Sequence, residues 1–452
     1  MSGMSSTTRL SRRHFLKAAG GIAAPFILPS HIWSAQTAPN SRITLGFIGI
    51  GKQGRGLLKN FLGRDTQVVV VCDVDTNRRE DAKNIVESHY AKQAGSGFKG
   101  CDATGKFEEV VGRKDIDAVV IATPDHWHAI ISCAALNAGK DIYCEKPLTQ
   151  TVGEAVAVMA AVQRNKRVFQ TGSMQRSMKE FRIACELVRN GAIGKIREVE
   201  CGFGGPPKPC DLPEEAMEAG LDWDRWLGPT PQRPYNSILS PRGVHDHFPS
   251  WRKYREFGGG MVTDWGAHHL DIAQWGLGED EAGPVEMVPP PDWTTAQSGG
   301  RLIYASGVPV IHIPQSEKGV VFHGSDGTIQ VNRGKLKFEV GGEVRAKFLS
   351  REDTPSLAAQ LARVEKEFLS NARVHLYHSN NHLDDFLECV RSRKQPITRA
   401  EVGGRSAICC HLLNFGYFYG QRVKWDVANL KFAGGTGNAS WLKRPYRGNW
   451  RV

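Results

Sequence analysis

The stretch that most constrains this chain is an apolar run, Ile43–Ile48, that ends in Gly49-Ile50-Gly51-Lys52-Gln53-Gly54; a second apolar run at 67–72 then leads to Asp73. The first run reads as a buried strand, and the G-x-G-x-x-G spacing turns it directly into a helix. Each glycine has its own task. Gly49 permits the turn, Gly51 lets bare backbone approach a pyrophosphate, and Gly54 lets the helix lie close on the strand. Amide N–H groups and the positive helix end then face phosphate, with Lys52 and Gln53 among the cofactor contacts. Asp73 is placed to accept the two ribose hydroxyls of an adenosine, and its charge repels a 2′-phosphate, so NAD is favoured over NADP. Arg78 and Arg79 soften that preference if they reach the ribose; the plainer reading of both is a solvated helix start.

Apolar runs at 118–122, 141–144 and 168–172 alternate with helical patterns at 81–93, 129–138 and 152–164. That alternation predicts a parallel sheet with helices on both faces. The run at 118–122 ends in Thr123-Pro124, and proline disfavours a helical residue before it, so a loop carrying Asp125, His126, Trp127 and His128 is expected. The next run ends in Glu145-Lys146-Pro147. Both ends fall on the carboxyl edge of the sheet, where doubly wound folds bind ligands.

Gly49-x-Gly51-x-x-Gly54, Asp73, Thr123-Pro124 with His128, and Glu145-Lys146-Pro147 are followed by Gly258-Gly259-Gly260 and Asp264-x-Gly266-x-His268. In this order the pieces resemble the glucose-fructose oxidoreductase / inositol dehydrogenase (Gfo/Idh/MocA) family, over essentially everything after the N-terminal segment. The resemblance implies an α/β chain: a doubly wound Rossmann domain, 40–173, and an α+β domain, 174–424, with an open, largely antiparallel sheet. That sheet is expected to cover the cofactor, hold the substrate and pair subunits into a homo-oligomer, a dimer or tetramer. It also implies a cis Lys146–Pro147 bond that turns Lys146 towards the nicotinamide. By the same resemblance Lys146, Asp264 and His268 are catalytic, and Thr123, Pro124, His128, Glu145 and Arg176 join the glycine turn in holding the cofactor.

The residues support a second domain on their own. Strand patterns at 196–203, 301–306, 310–313 and 328–331 lack helical patterns between them, which predicts mainly antiparallel pairing. A loop at 204–251 carries Trp223, Trp226, Arg233, Tyr235 and His245-Asp246-His247. Loops of that length are commonly functional, and its aromatics suit either sugar rings or packing on their own domain. The tail 425–452 reads as an arm laid on the body or on a second subunit. After Gly260, a helix puts Asp264, His268 and Asp271 at i, i+4 and i+7 on one face. Oxidation of a secondary alcohol needs a base, and His268 suits it. Lys146 is the fixed cation for developing alkoxide charge, and Asp264 holds the lysine or a neighbouring hydroxyl. Two other readings compete: His268 as a core histidine satisfied by Asp271, and Asp264, His268, His269 and Asp271 as metal ligands with His245 or His247. The hydride scheme uses the residues better, and no metal is expected.

Ser11-Arg12-Arg13-His14-Phe15-Leu16-Lys17 and the short, weakly apolar stretch at 18–28 read as a twin-arginine export signal, residues 1–35. The stretch is too short to span a bilayer. Its loss removes four basic residues and no acids, lowering the formal charge from +11 to +7. The remaining basic residues are scattered without interleaved aromatics, so neither nucleic acid nor a membrane beyond export is an expected partner. Ten cysteines without a C-x-x-C pair look like small buried hydrophobes.

Export to the periplasm separates a dehydrogenase from any pool of NAD, which favours a non-dissociating cofactor restored within each cycle. The expected activity is hydride transfer between a sugar or polyol hydroxyl and bound nicotinamide. The alternative is a redox-neutral NAD-dependent glycoside hydrolase working through a transient keto sugar. A third reading, a dinucleotide-binding sensor without catalysis, leaves Lys146, Asp264 and His268 without a task.

Overall fold

Strands β1 (Ile43–Ile48), β2 (Thr66–Cys72), β3 (Asp102–Thr104), β4 (Ala118–Ile121), β5 (Asp141–Cys144) and β6 (Phe169–Thr171) form an all-parallel sheet in the order β3-β2-β1-β4-β5-β6. The computed structural model describes residues 42–94 and 100–452; the segment expected to direct export lies outside the described residues. β4 is buried at every position, as expected for a strand covered on both faces. The build direction reverses between β1 and β4, which opens a crevice at their carboxyl ends.

The helix Asp125–Asn137 starts directly after Pro124, not beyond His128 as expected. Pro124 is the residue before the helix, extended at φ −59 and ψ 153, where its missing N–H deprives the helix of no bond. His126, Trp127 and His128 therefore sit on a rigid first turn.

The second sheet contains β7 (Ile196–Gly202), β8 (Pro284–Val288), β9 (Arg301–Tyr304), β10 (Pro309–Ile313), β11 (Val320–Gly324), β12 (Gly327–Asn332), β13 (Lys335–Val340), β14 (Glu343–Phe348), β15 (Val423–Asp426) and β16 (Lys431–Ala433). Their order is β14-β13-β12-β11-β7-β10-β9-β8-β15-β16. All pairs are antiparallel except β7 with β10. The parallel pair follows from the connection between them, which includes the helices Gly260–Asp264 and Gly266–Leu277 and so can cross the sheet. The inner face packs Leu302, Tyr304, Val310 and Phe322 into one core with residues of the helices Lys179–Arg189, Gly266–Leu277 and Ala400–Tyr419. On the outer face the register aligns Arg301, Ile311, Glu200, Val321 and Gln330 in one cross-strand row.

Two late segments return to the first domain. The helix His382–Ser392 adds Leu383, Phe386 and Leu387 to the cluster of Leu45, Phe47 and Phe61. The tail also crosses back, and the boundary drawn before residue 425 cuts through β15. Arg444 Nε and Tyr446 OH donate to Glu154 Oε1 at 2.8 and 3.0 Å, and Trp450 meets Trp127 edge-on at 4.7 Å. All ten cysteines are free and nine are buried. No helix among the described residues is long and apolar enough to cross a membrane.

Candidate active site

The glycine turn forms one wall of the crevice. Gly49 has φ +88, and a Cβ there would lie 2.6 Å from Thr123 N; a Cβ on Gly54 would lie 2.0 Å from Gly49 O. Gly51 lines the groove and a Cβ on it would meet nothing within 4 Å, so the space in front of it is open. The helix Lys52–Leu62 has no side-chain cap, leaving first-turn N–H groups to face the groove. Thr123 Oγ1 is buried without a partner at the same edge. Asp73 Oδ2 accepts from Ile50 N at 2.7 Å and Oδ1 from Asp75 N at 2.9 Å, which fixes a carboxylate on the groove wall. An uncapped helix end, a bare Gly51 and a fixed acid fit a dinucleotide.

The long loop supplies the other wall. Most of its aromatics pack on one another: Trp223 and Trp226 stack at 4.6 Å, and Trp223 Nε1 donates to Arg233 O at 2.8 Å. The segment 240–246 closes on the groove. Arg78 Nε donates to Gly243 O at 3.2 Å and its Nη2 to Ser240 Oγ at 3.2 Å and to Pro241 O. Arg55 Nη1 donates to His245 O at 3.1 Å, and Lys52 Nζ to Asp246 O. Arg78 is thus a buried clamp, not a solvated helix start.

Gln53 and Glu145 join the groove to a second cavity of about 410 Å³. Gln53 lines both spaces and its Nε2 donates to Glu145 Oε1 at 2.8 Å. The second cavity is walled by Lys146 and His128 from the first domain, and by Arg252, Asp264, Trp265, His268 and Arg333 from the second. The Lys146–Pro147 bond is cis. Lys146 Nζ donates to Asp264 Oδ1 at 2.5 Å and to Asp264 O at 2.8 Å, while Arg252 Nε lies 3.6 Å from Asp264 Oδ2. Burial works to raise the Asp264 carboxyl, but Lys146 and then Arg252 outweigh it and hold the group below the usual range. Burial pushes Asp125 up to about 8 against Arg252, with Asp264 adding to the rise. Glu145 is also raised, chiefly by burial.

His268 is buried, and its titration lies well below the ordinary value, first through burial and then through the charges of Lys146 and Arg333. Its Nε2 accepts from Arg333 Nη2 at 2.9 Å, and Nδ1 is buried without a partner. A break at Trp265 separates the helix Gly260–Asp264 from Gly266–Leu277, so the expected single face divides. Asp264 and His268 face the cavity. Asp271 turns away and binds Arg176 and Ser406, so it does not satisfy His268.

Two of the expected cofactor contacts are corrected. Arg176 is fully buried between Asp271 and Asp280, with contacts of 2.7–2.9 Å to both carboxylates; it reaches neither cavity. Paired acids far along the chain claimed it. His128 has one ring nitrogen 2.8 Å from Pro147 O and the other 2.9 Å from Thr123 O, so it braces two strand ends and has no nitrogen left for a ligand. His269 Nδ1 lies 2.7 Å from Gly202 O. Among the described residues no group of three or more His, Cys, Asp or Glu side chains is arranged to hold a metal ion. Arg333 and Arg252 were not singled out in the sequence, and Asp125 was named there only as part of the loop after Pro124. Arg333 sits in the turn between β12 and β13, where no local pattern marks it.

A Rossmann groove opening into a cavity that a second, sheet-based domain closes is the architecture of a nicotinamide-dependent oxidoreductase. Residues 43–173 match the model of the oxidoreductase family with an NAD-binding Rossmann fold, Gfo/Idh/MocA, and residues 208–312 match the C-terminal alpha/beta domain of that family. The chain belongs to the Gfo/Idh/MocA oxidoreductase family. Among curated relatives, a glycosyl hydrolase family 109 protein of Shewanella pealeana is 26% identical over 214 residues, 43% of this chain and 46% of that one. An alpha-N-acetylgalactosaminidase of Shewanella oneidensis is 27% identical over the same shares. The chain spans about half the length of the curated relatives it matches. In fold it is similar to an aldose-aldose oxidoreductase of Caulobacter crescentus complexed with glycerol, at 18% identity and TM-score 0.55 over 85% of this chain and 99% of that one. A levoglucosan dehydrogenase complexed with NADH and levoglucosan gives 18%, 0.54, 85% and 99%.

Proposed function

We propose that this chain transfers hydride between a secondary hydroxyl of a sugar or polyol and a tightly held NAD. The observation that carries the reading is the meeting of Lys146, Asp264 and a neutral His268 in one cavity joined to the glycine turn through Gln53 and Glu145. Bound nicotinamide supplies the hydride acceptor and donor. His268 takes the hydroxyl proton once its Nε2 is released from Arg333. The Lys146 ammonium, aimed by Asp264, donates to the same oxygen and stabilises its developing negative charge. The carboxylate of Asp73 at the adenosine end favours NAD over NADP. The clamp of Arg78, Arg55 and Lys52 on the loop supports a cofactor that stays bound. Export through the twin-arginine signal to the periplasm, and assembly of copies through the outer sheet face, complete the reading.

A redox-neutral glycosidase is the second reading, favoured by the relatives named for that activity. The purified protein, freed of its signal and loaded with NAD, distinguishes the two. Growth of the reduced-nicotinamide absorbance band on adding a sugar supports net oxidation. Release of an aglycone from a glycoside with no net change in the band supports the hydrolase. A sensor gives neither, and that outcome ends the catalytic proposal.

A further inference from the structure

Arg333 lines the cavity without forming a salt bridge to any described residue. It is more than half removed from water, yet among the described residues no carboxylate touches it; Glu145 and Asp264 act on it only from across the cavity. Its contacts are neutral. Nη2 donates to His268 Nε2 at 2.9 Å and the guanidinium lies 4.8 Å over the Trp265 ring; with the Gln175 amide turned so that both its ends find partners, Nε donates to Gln175 Oε1 at 3.2 Å. Gln175 is itself pinned, donating to His268 O at 3.1 Å, so the guanidinium is held in one orientation facing the cavity. A half-buried arginine with no carboxylate in contact is costly unless a ligand provides one.

The rest of the cavity does not provide it. Lys146, Arg252, Lys253 and Arg333 line the space, and Asp264 is shared by Lys146 and Arg252. Burial keeps Asp125 protonated at neutral pH and raises Glu145, which is already hydrogen-bonded to Gln53. Two carboxylates, Asp264 and Glu145, therefore face four cations.

We propose that the cavity takes a sugar carrying a carboxylate, a uronic or aldonic acid, and that Arg333 receives that carboxylate through its planar fork. This rests on the hydride-transfer reading of the same site and names its substrate class. Arg333 suits the task because the guanidinium matches a carboxylate with two parallel N–H donors, which an ammonium cannot do. The same contact has a second effect. Arg333 occupies His268 Nε2 in the absence of ligand, and a carboxylate that draws the guanidinium away exposes that lone pair to the neighbouring hydroxyl.

Calorimetric titration of the NAD-loaded protein with galacturonate and glucuronate, against galactose and glucose, tests this without relying on turnover. The acids should bind at least about tenfold more tightly than their neutral counterparts. In R333Q the acid-to-neutral ratio should collapse to near one, and R333K, which keeps the charge but loses the fork, should fall between; melting curves identify a misfolded variant. Equal or weaker binding of the acids, no measurable binding of either acid, or a ratio unchanged in both variants overturns the proposal. Acid-selective binding controlled by Arg333 with no change in the nicotinamide band defeats the hydride reading and leaves this one. Oxidation of neutral sugars without acid preference does the reverse.

Discussion

His268 is neutral because burial, Lys146 and Arg333 all oppose its protonation, and a base works only in its unprotonated form. Its folded-state titration lies below 6.5, so the acid limb of kcat/KM should fall below that pH, with the base fully available from 6.5 upwards. A pH–rate profile with its limb at or above 6.5 contradicts the assignment. Lys146 acts on the same oxygen, and K146A should lower kcat by about 10²- to 10³-fold, read by single-turnover absorbance of the reduced nicotinamide. Lys146, Asp264 and His268 could be picked out in the chain because short motifs that resemble the family's carry them and because their chemistry suits alcohol oxidation. Arg176 misled for the opposite reason. Its partners Asp271 and Asp280 are 95 and 104 residues away, and no local pattern discloses a pairing at that separation.

At the scale of elements, the glycine turn separates two kinds of substitution. G54A drives a Cβ to 2.0 Å from Gly49 O and should spoil the strand-to-helix turn itself, lowering the melting temperature of the NAD-free protein. G51A meets no protein atom within 4 Å and sits at φ −69, so the fold should tolerate it while NAD affinity drops, because the methyl projects into the groove. Calorimetry with NAD and melting curves without it check both. The main strands of the first sheet were legible from apolar runs, since strands buried on two faces carry little else. β3 escaped because three residues are too few to form a pattern. The helix after Pro124 was read as loop through His128 because proline constrains the residue before it, not the one after. The β7–β10 pair was invisible for a different reason: strand direction depends on the crossing of the chain between them.

Across the whole molecule, the tail ties the halves together through Glu154. Its Oε2 accepts from Gln150 N and Thr151 N at 2.9 and 3.2 Å, completing a helix cap, and its Oε1 takes Arg444 and Tyr446. E154A should cost about 3–5 kcal/mol, seen as a lower denaturation midpoint and earlier tryptic cleavage at Lys443 and Arg447. Acid should act on the whole fold as well. Burial holds His269, His312, His382 and His411 at about 4. Their folded values lie below the unfolded one, so the unfolded chain takes up protons first. This stability is intact above pH 6.5 and is lost as pH falls towards 4, by about 2 kcal/mol for each ring at pH 5. Urea midpoints measured between pH 7 and 5 should fall steeply.

Trp450 touches the edge of Trp127, and Trp127 in turn forms part of the groove wall. Trp450 is therefore optically coupled to the dinucleotide site, and its emission should report the loading of the groove.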